Sequence, residues 1–281
     1  MSERAVDVVV GAAAGMGAAV ARRLAASGAA ATGGRLLLAD IDADGAGRLA
    51  GELGENRGDG VEAHRCDLAS ADDLTALAEA VAPDRLRTLV ATAGLSPTMA
   101  PGRRIVEVDL VGPARLVATF APLATTGTVA VLFASMAAHL VPPDPGIDAA
   151  LDAPLAPTLL DDLAAAGAPV DDPGAAYAYA KRGVRRLVER EAAAWGRRGA
   201  RLLSLSPGIV DTAMGRQEHE GQPLMAAMVA GSPLGRMLTV DEVAPVVDFL
   251  VSDAAAAMTG TDVLVDGGAV AALRHPAPSP S

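Results

Sequence analysis

The stretch Ala5-Val6-Asp7-Val8-Val9-Val10-Gly11-Ala12-Ala13-Ala14-Gly15-Met16-Gly17 decides how the rest of the chain is read. Its first part is valine-rich and apolar, the pattern of a buried strand. Glycines at 11, 15 and 17 then mark a tight turn, and a helical pattern runs over 15–27 and stops at Gly28. A strand that feeds a glycine turn and then a helix N-terminus can cradle a pyrophosphate, because unpaired N–H groups and the helix dipole favour negative charge there. With 30 glycines in 281 residues the spacing alone is a weak sign; its place between the first strand and the first helix gives it weight.

Outward from that stretch, short apolar runs alternate with helical patterns. Further strands are expected at 35–39, 61–66, 86–91, 128–133, 201–205 and 262–265, and helices at 70–82, 103–121, 175–198 and 240–252. Continuous apolar strands separated by helices mean a parallel sheet covered on both faces. The expectation is an α/β chain with a doubly wound, seven-stranded sheet in one domain over 1–270. Asp40 follows the second strand, where a carboxylate can accept hydrogen bonds from a ribose and repel a 2′-phosphate, which favours NAD over NADP. The plainer alternative is an ordinary acid at a strand end.

One segment breaks the rhythm. Residues 136–174 hold seven prolines and seven aspartates with no Lys or Arg. Leu151, Leu155, Leu159, Leu160 and Leu163 suggest one or two short helices within it. A stretch this long inside a compact domain is either a functional lid or interface element, or a loosely ordered surface insert. The end, 271–281, is rich in proline and serine and reads as a disordered tail.

Composition narrows the function. Apolar residues make up 51% of the chain and aromatics 2%, so the core is built from small aliphatic side chains. The formal net charge of −11 argues against a nucleic-acid or anionic-membrane surface. Cys66 is the only cysteine, which excludes an internal disulfide, and His64, His139, His219 and His275 lack ligand spacing, so no metal is expected. No apolar run approaches the length of a membrane span and no signal-type core is visible, so the expectation is a cytoplasmic protein.

Lys181 is the only lysine among 23 basic residues, and it follows Tyr177, one of two tyrosines, by four positions. That spacing places both side chains on one helix face, one turn apart. An ammonium there favours the phenolate and suits the phenol to general base work. Arginine would not substitute, since it never gives up its charge and its planar fork replaces a compact cation. Tyr179 falls near the opposite face.

Together these residues resemble the short-chain dehydrogenase/reductase family, over nearly the whole chain, and the insert before the tyrosine is similar to one in some bacterial hydroxysteroid dehydrogenases. Gly11, Gly15 and Gly17 match the family's cofactor loop, with Val10 where a Thr is usual. Asp67-Leu68 is similar to its adenine-contacting segment, and Ala91-Thr92-Ala93-Gly94 to its N-N-A-G segment without either asparagine. Ser135 falls on the catalytic serine, Tyr177 and Lys181 on Y-x3-K, and Pro207-Gly208-Ile209-Val210-Asp211-Thr212 on the segment facing the nicotinamide. Thr259-Gly260 and Val265-Asp266-Gly267-Gly268 match the C-terminal signature.

The resemblance implies a Rossmann-like fold, a homo-oligomer (dimer or tetramer) and hydride transfer between NAD(H) and a secondary alcohol or ketone. In it Ser135, Tyr177 and Lys181 are catalytic. The cofactor contacts fall to Gly11, Gly15, Met16, Gly17, Asp40, Ile41, Asp67, Leu68, Ala93, Gly94, Pro207, Gly208, Val210 and Thr212, with Tyr177 and Lys181. Asp109 takes the place of the family's helix Asn, which holds a relay water, and is counted with the catalytic group; a carboxylate there alters both the water and the lysine charge. The insert weakly suggests a bulky, apolar, steroid-like substrate. Leu224, Met225, Met228 and Met237 are read either as an apolar cover for it or as helix packing. Two alternatives stay open: a 3-oxoacyl-thioester reductase, which usually goes with NADPH, and a non-catalytic NAD-binding sensor or scaffold.

Overall fold

A computed structural model describes residues 4–55, 60–221 and 223–275. The first strand, β1 (Ala5–Val10), sends Val6, Val8 and Val10 to one apolar cluster and Val9 to another, because successive side chains of a strand face opposite ways. The same alternation recurs in β5 (Val129–Phe133), where Ala130 and Leu132 join the first cluster and Val129, Val131 and Phe133 the second. The remaining strands are β2 (Arg35–Asp40), β3 (Val61–Arg65), β4 (Arg85–Ala91), β6 (Arg201–Pro207) and β7 (Asp262–Val265). They form one seven-stranded sheet in the order β3-β2-β1-β4-β5-β6-β7, with every pair parallel. The order reverses between β1 and β4, and the crevice beyond their carboxyl ends is where such sheets bind ligands.

Helices cover both faces: α1 (Gly15–Ser27), α2 (Ala43–Gly54), α3 (Ala71–Val81), then α4 (Gly102–Val106) and α5 (Gly112–Phe120). The glycines at 45, 47, 51 and 54 spoke against a helix at α2, and none was expected there. Asp42 caps it by accepting from the Gly45 N–H, and burial of Leu49 and Ala46 holds it in place, so tertiary packing overrides propensity. The single helix expected over 103–121 is also different. A π-helical turn, Glu107–Val111, joins α4 to α5. Pro113 has no N–H for the carbonyl four residues back, which is that of Asp109, and the helix widens by a turn there.

The segment 136–174 is helical and packed. After a 3₁₀ turn at Met136–His139 come α6 (Pro145–Leu151) and α7 (Leu159–Ala165), and then α8 (Pro173–Gly196). Ile147, Leu151, Leu159, Leu163 and Val170 bury against Val106, Leu110, Ala176 and Ala180. Asp148 pairs with Arg182 at 2.7 Å and Asp152 with Arg186 at 2.7 Å, two acids and two arginines each one turn apart. Leu155 stays exposed. The segment is therefore a layer on the outer side of α4 and α8. Beyond β6 lie α9 (Ala213–Gly221), α10 (Pro223–Gly231) and α11 (Val240–Val251). The last helix of the described residues is α12 (Ala269–Arg274), which occupies the start of the expected disordered tail; 276–281 lie outside the described residues. No helix among the described residues is long and apolar enough to cross a membrane.

Leu163 is fully buried among the insert and helix side chains. Leu163→Ala is expected to lower stability by about 2–5 kcal/mol in chemical denaturation, the range for a core leucine. A change within about 0.5 kcal/mol, typical of a surface site, would show the layer is not packed.

Candidate active site

The glycine turn after β1 uses its missing side chains. Gly11 has a φ of +89°, and a Cβ there would run into the Ala93 backbone; one on Gly17 would run into the Gly11 carbonyl. The N-cap of α1 is Ala14, which has no acceptor for the first amides, and no acid stands in the first turn. Those N–H groups are left for an external anion. An open groove of about 840 Å³ starts at Ala13, Gly15 and Thr212 and runs along α1 to Ser27 and to Asp248 of α11, away from Ser135 and Tyr177. Thr212 comes from the loop after β6, and its methyl lies 3.4 Å from where a Gly15 Cβ would stand. The turn thus has the shape, the free amides and the opening that a dinucleotide pyrophosphate needs. Met16 is half-buried against the core, and Val210 is buried in it.

Two braces hold this turn. Asp40 Oδ2 accepts the Ala13 N–H at 2.8 Å, and Oδ1 accepts the Asp42 N–H at 2.9 Å. Asp40 therefore shapes the glycine loop, a role beyond that of an ordinary strand-end acid. Ile41 beside it is 60% exposed. The second brace was missed in the sequence. Thr92, at the end of β4, donates its hydroxyl toward the carbonyls of Val10 and Gly11, each at 3.1 Å. The only signal was a hydroxyl residue where two asparagines were missing. Asp67 Oδ1 accepts the Ala69 N–H at 2.9 Å, while the Leu68 side chain is buried against Gly112. Gly208 donates its N–H to Val265 at 2.8 Å, which seats the segment from Pro207 on the last strand.

Ser135 follows β5 and is nearly buried, with Oγ accepting the Ala137 N–H at 3.2 Å. Tyr177 and Lys181 stand on α8, and the ammonium lies 5.6 Å from the Tyr177 ring centroid. Tyr179, as expected, turns away and packs against the insert. Lys181 is 4% exposed. Its Nζ donates to the Phe133 carbonyl at 3.3 Å and approaches Asp109 Oδ2 at 3.0 Å, off the line of a hydrogen bond. Asp109, fully buried on the π turn, accepts the Leu95 N–H through Oδ1 at 2.8 Å. Gly94 leaves room for the pair, since a Cβ there would meet Oδ2 at 2.9 Å and Nζ at 3.1 Å. Burial works against both charges. It pushes the Asp109 carboxyl up, with Lys181 and the Leu95 N–H opposing, whereas Lys181 ends above the ordinary lysine value because Asp109 and Tyr177 outweigh its burial.

Apolar residues gather next to Ser135. Met136, Ile209, Ala269 and Val270 form a cluster joined by Met225, Met228, Val229 and Met237. Leu224 is 68% exposed and outside it. Among the described residues no group of His, Cys, Asp and Glu could hold a metal ion. The Cys66 thiol is pushed up to about 12, chiefly by burial, and is no nucleophile.

Comparison with known proteins agrees with this geometry. A family model described as short chain dehydrogenase matches residues 5–143, and one described as enoyl-(acyl carrier protein) reductase matches 163–270. A D-threitol dehydrogenase from Mycolicibacterium smegmatis is 33% identical over 270 residues, covering 94% of this chain and 92% of its own. The chain belongs to the short-chain dehydrogenase/reductase family. It is an oxidoreductase of the kind that acts on CH–OH groups. A cis-4-hydroxycyclohexanecarboxylate dehydrogenase from Sinomonas cyclohexanicum is 31% identical, covering 94% of this chain and 95% of its own. Among solved structures, a 3-alpha-hydroxysteroid dehydrogenase from Pseudomonas sp. B-0831 complexed with NADH superposes with a TM-score of 0.73 at 26% identity, covering 98% of this chain and all of that one. The gap between the two family models lies within the insert.

Tyr177→Phe is expected to abolish turnover of an alcohol substrate while cofactor affinity stays within a few-fold, measured by steady-state kinetics and calorimetry. Lys181→Arg is expected to be severely impaired as well, because a guanidinium does not fit the compact space bounded by Gly94, Asp109 and the Phe133 carbonyl. Retention of most activity in Lys181→Arg would refute that role for the lysine.

Proposed function

We propose that this protein interconverts a neutral, largely apolar secondary alcohol and its ketone with NAD(H). The observation that carries the reading is that Lys181 lies beside the Tyr177 ring, bonds the carbonyl of Phe133 two residues before Ser135, and packs on Gly94, whose neighbour Ala93 packs on Gly11 of the glycine turn. The Ser135 hydroxyl holds the substrate oxygen. Tyr177 takes the alcohol proton on oxidation and returns it on reduction. Lys181, on the same helix face as the phenol, would hold the nicotinamide ribose. NAD, when bound, supplies the hydride acceptor, or in its reduced form the donor. Gly11, Gly15, Met16, Gly17 and Thr212 would hold its pyrophosphate, and Asp67 with the Leu68 backbone its adenine. Ala93, Gly94, Pro207, Gly208 and Val210 would line the approach to its nicotinamide half.

An apolar substrate is supported by the methionine-lined cluster around Met136 and Ile209, and by the engagement of the lone ammonium with Asp109, which leaves it poorly placed for a carboxylate. The hydroxysteroid relative points the same way, whereas the hydroxycyclohexanecarboxylate relative supports an alicyclic ring but carries a carboxylate. A second reading, a small polyol, is favoured by the likeness to the threitol and galactitol dehydrogenases. A turnover screen with NAD against alicyclic alcohols and linear polyols separates the two; faster kcat/KM on polyols would replace the first reading. The thioester-reductase alternative rests on a FabG relative matched over a third of the chain and goes against Asp40. A homo-oligomer fits the exposed Leu264 on the edge strand and Phe249 on α11, and light scattering tests it.

NAD over NADP follows from Asp40, whose carboxylate would meet a 2′-phosphate. Calorimetric titration is expected to show NAD(H) binding at least about tenfold tighter than NADP(H), which corresponds to ~1.4 kcal/mol. Asp40→Ala should narrow the gap and also weaken both cofactors, since the Ala13 amide loses its partner. Equal or tighter NADP(H) binding by the unaltered protein would sink the assignment.

A further inference from the structure

The ammonium beside Tyr177 does not act alone, because Asp109 Oδ2 stands 3.0 Å from it and neither side chain meets solvent. With one proton between them, whether it rests on nitrogen or is shared with oxygen, the pair carries no net charge toward its surroundings. We propose that Asp109 is a positioning residue that cancels most of the Lys181 charge, so that Tyr177 becomes a base only at more alkaline pH than an unopposed lysine would set. This rests on the reading of Tyr177 as the proton-transferring residue and adds a regulation of that same site.

Groups packed against the pair from the neighbouring elements are uncharged or engaged in ion pairs of their own, Arg185 with Asp262 among them. On α8 the phenol and ammonium share one face. From β5 come the Phe133 carbonyl and the Ser135 hydroxyl, and from the segment after β4 the Leu95 N–H, all uncharged. The charged residues of the other packed elements are engaged elsewhere: Arg104 with Glu107, Arg103 with Asp171, Arg182 with Asp148, and His139 with Asp262. The π turn is what aims Asp109 inward, since its widening follows from Pro113. The second contact, from the Leu95 N–H, anchors the other carboxylate oxygen, so the charge sits at a set distance from the lysine. A carboxamide at this position would keep an acceptor for Leu95 and an oxygen for Lys181 but would remove the charge.

The chain contains two tyrosines, so Tyr179→Phe leaves Tyr177 as the only phenol. Its ionisation then reads directly as near-ultraviolet phenolate absorbance, with no need for turnover. In Tyr179→Phe the midpoint should lie within about a unit of the free phenol, ~10. Adding Asp109→Asn should lower it by on the order of 1–3 units, the usual effect of an unopposed charge at this range. In the otherwise unaltered enzyme, Asp109→Asn should move the acid limb of kcat/KM for alcohol oxidation to lower pH in the same direction. A midpoint that does not move, or that rises, overturns the proposal. If the double variant does not fold, the Tyr179→Phe protein still decides, because a midpoint near ~7 would show an uncancelled lysine. A shifted midpoint in a protein that oxidises no alcohol would support the charge cancellation and count against the functional reading alone.

Discussion

A lysine taken out of water must find acceptors, and around Lys181 they come from elements far apart in the chain. The Phe133 carbonyl ends β5, Asp109 sits on the π turn, and the Leu95 amide that holds Asp109 follows β4. Satisfying one ammonium therefore fixes the position of α8 against the sheet and against the helix that carries Asp109. Breaking such a buried pair by removing one partner costs about 3–5 kcal/mol, because the other charge is left uncompensated. The reactive phenol, one turn back on α8, takes its place from the same constraint.

The cofactor side is built on a different economy. With few aromatics the layers lie close, and the glycine turn comes within contact of β4 and of the loop after β6. What keeps so lean a turn in shape is hydrogen bonding from its neighbours: Asp40 from β2 and Thr92 from β4. At the opposite end of the sheet, buried Asp7 accepts two bonds from Arg87 at 2.7 Å, joining β1 to β4 across the point where the strand order reverses.

The insert adds a third kind of contact, half apolar and half ionic. Its leucines bury against α4 and α8, while Asp148 and Asp152 meet Arg182, Arg186 and Arg190 along the outer side of α8. The two carboxyls are held below the ordinary range, first by hydrogen bonds from Arg182 and Arg186. A lowered value in the folded state adds stability that is present at neutral pH and is lost as pH falls through it. Both partners are partly exposed, so solvent and salt reduce the gain from each pair.

The five inner strands were legible because each is a short, mostly apolar run buried on both faces, and such runs carry their own signature; the edge strands β3 and β7 are only partly buried. The glycine turn, Asp40 and the Tyr177–Lys181 pair were legible because their meaning lies in spacing along the chain, which a helix or a strand converts into geometry by rule. The α2 helix was not, since its glycines oppose it locally and only packing against the sheet decides for it. The Thr92 brace was hidden for a related reason, and the Asp109–Lys181 contact was reachable only through the family resemblance. Each depends on two residues distant in sequence arriving at one point, and no local pattern encodes that arrival. Sequence alone determined the layers of this protein and the residue types at its reacting face; tertiary structure decided which charges meet there, because a buried charge is defined by what is folded against it.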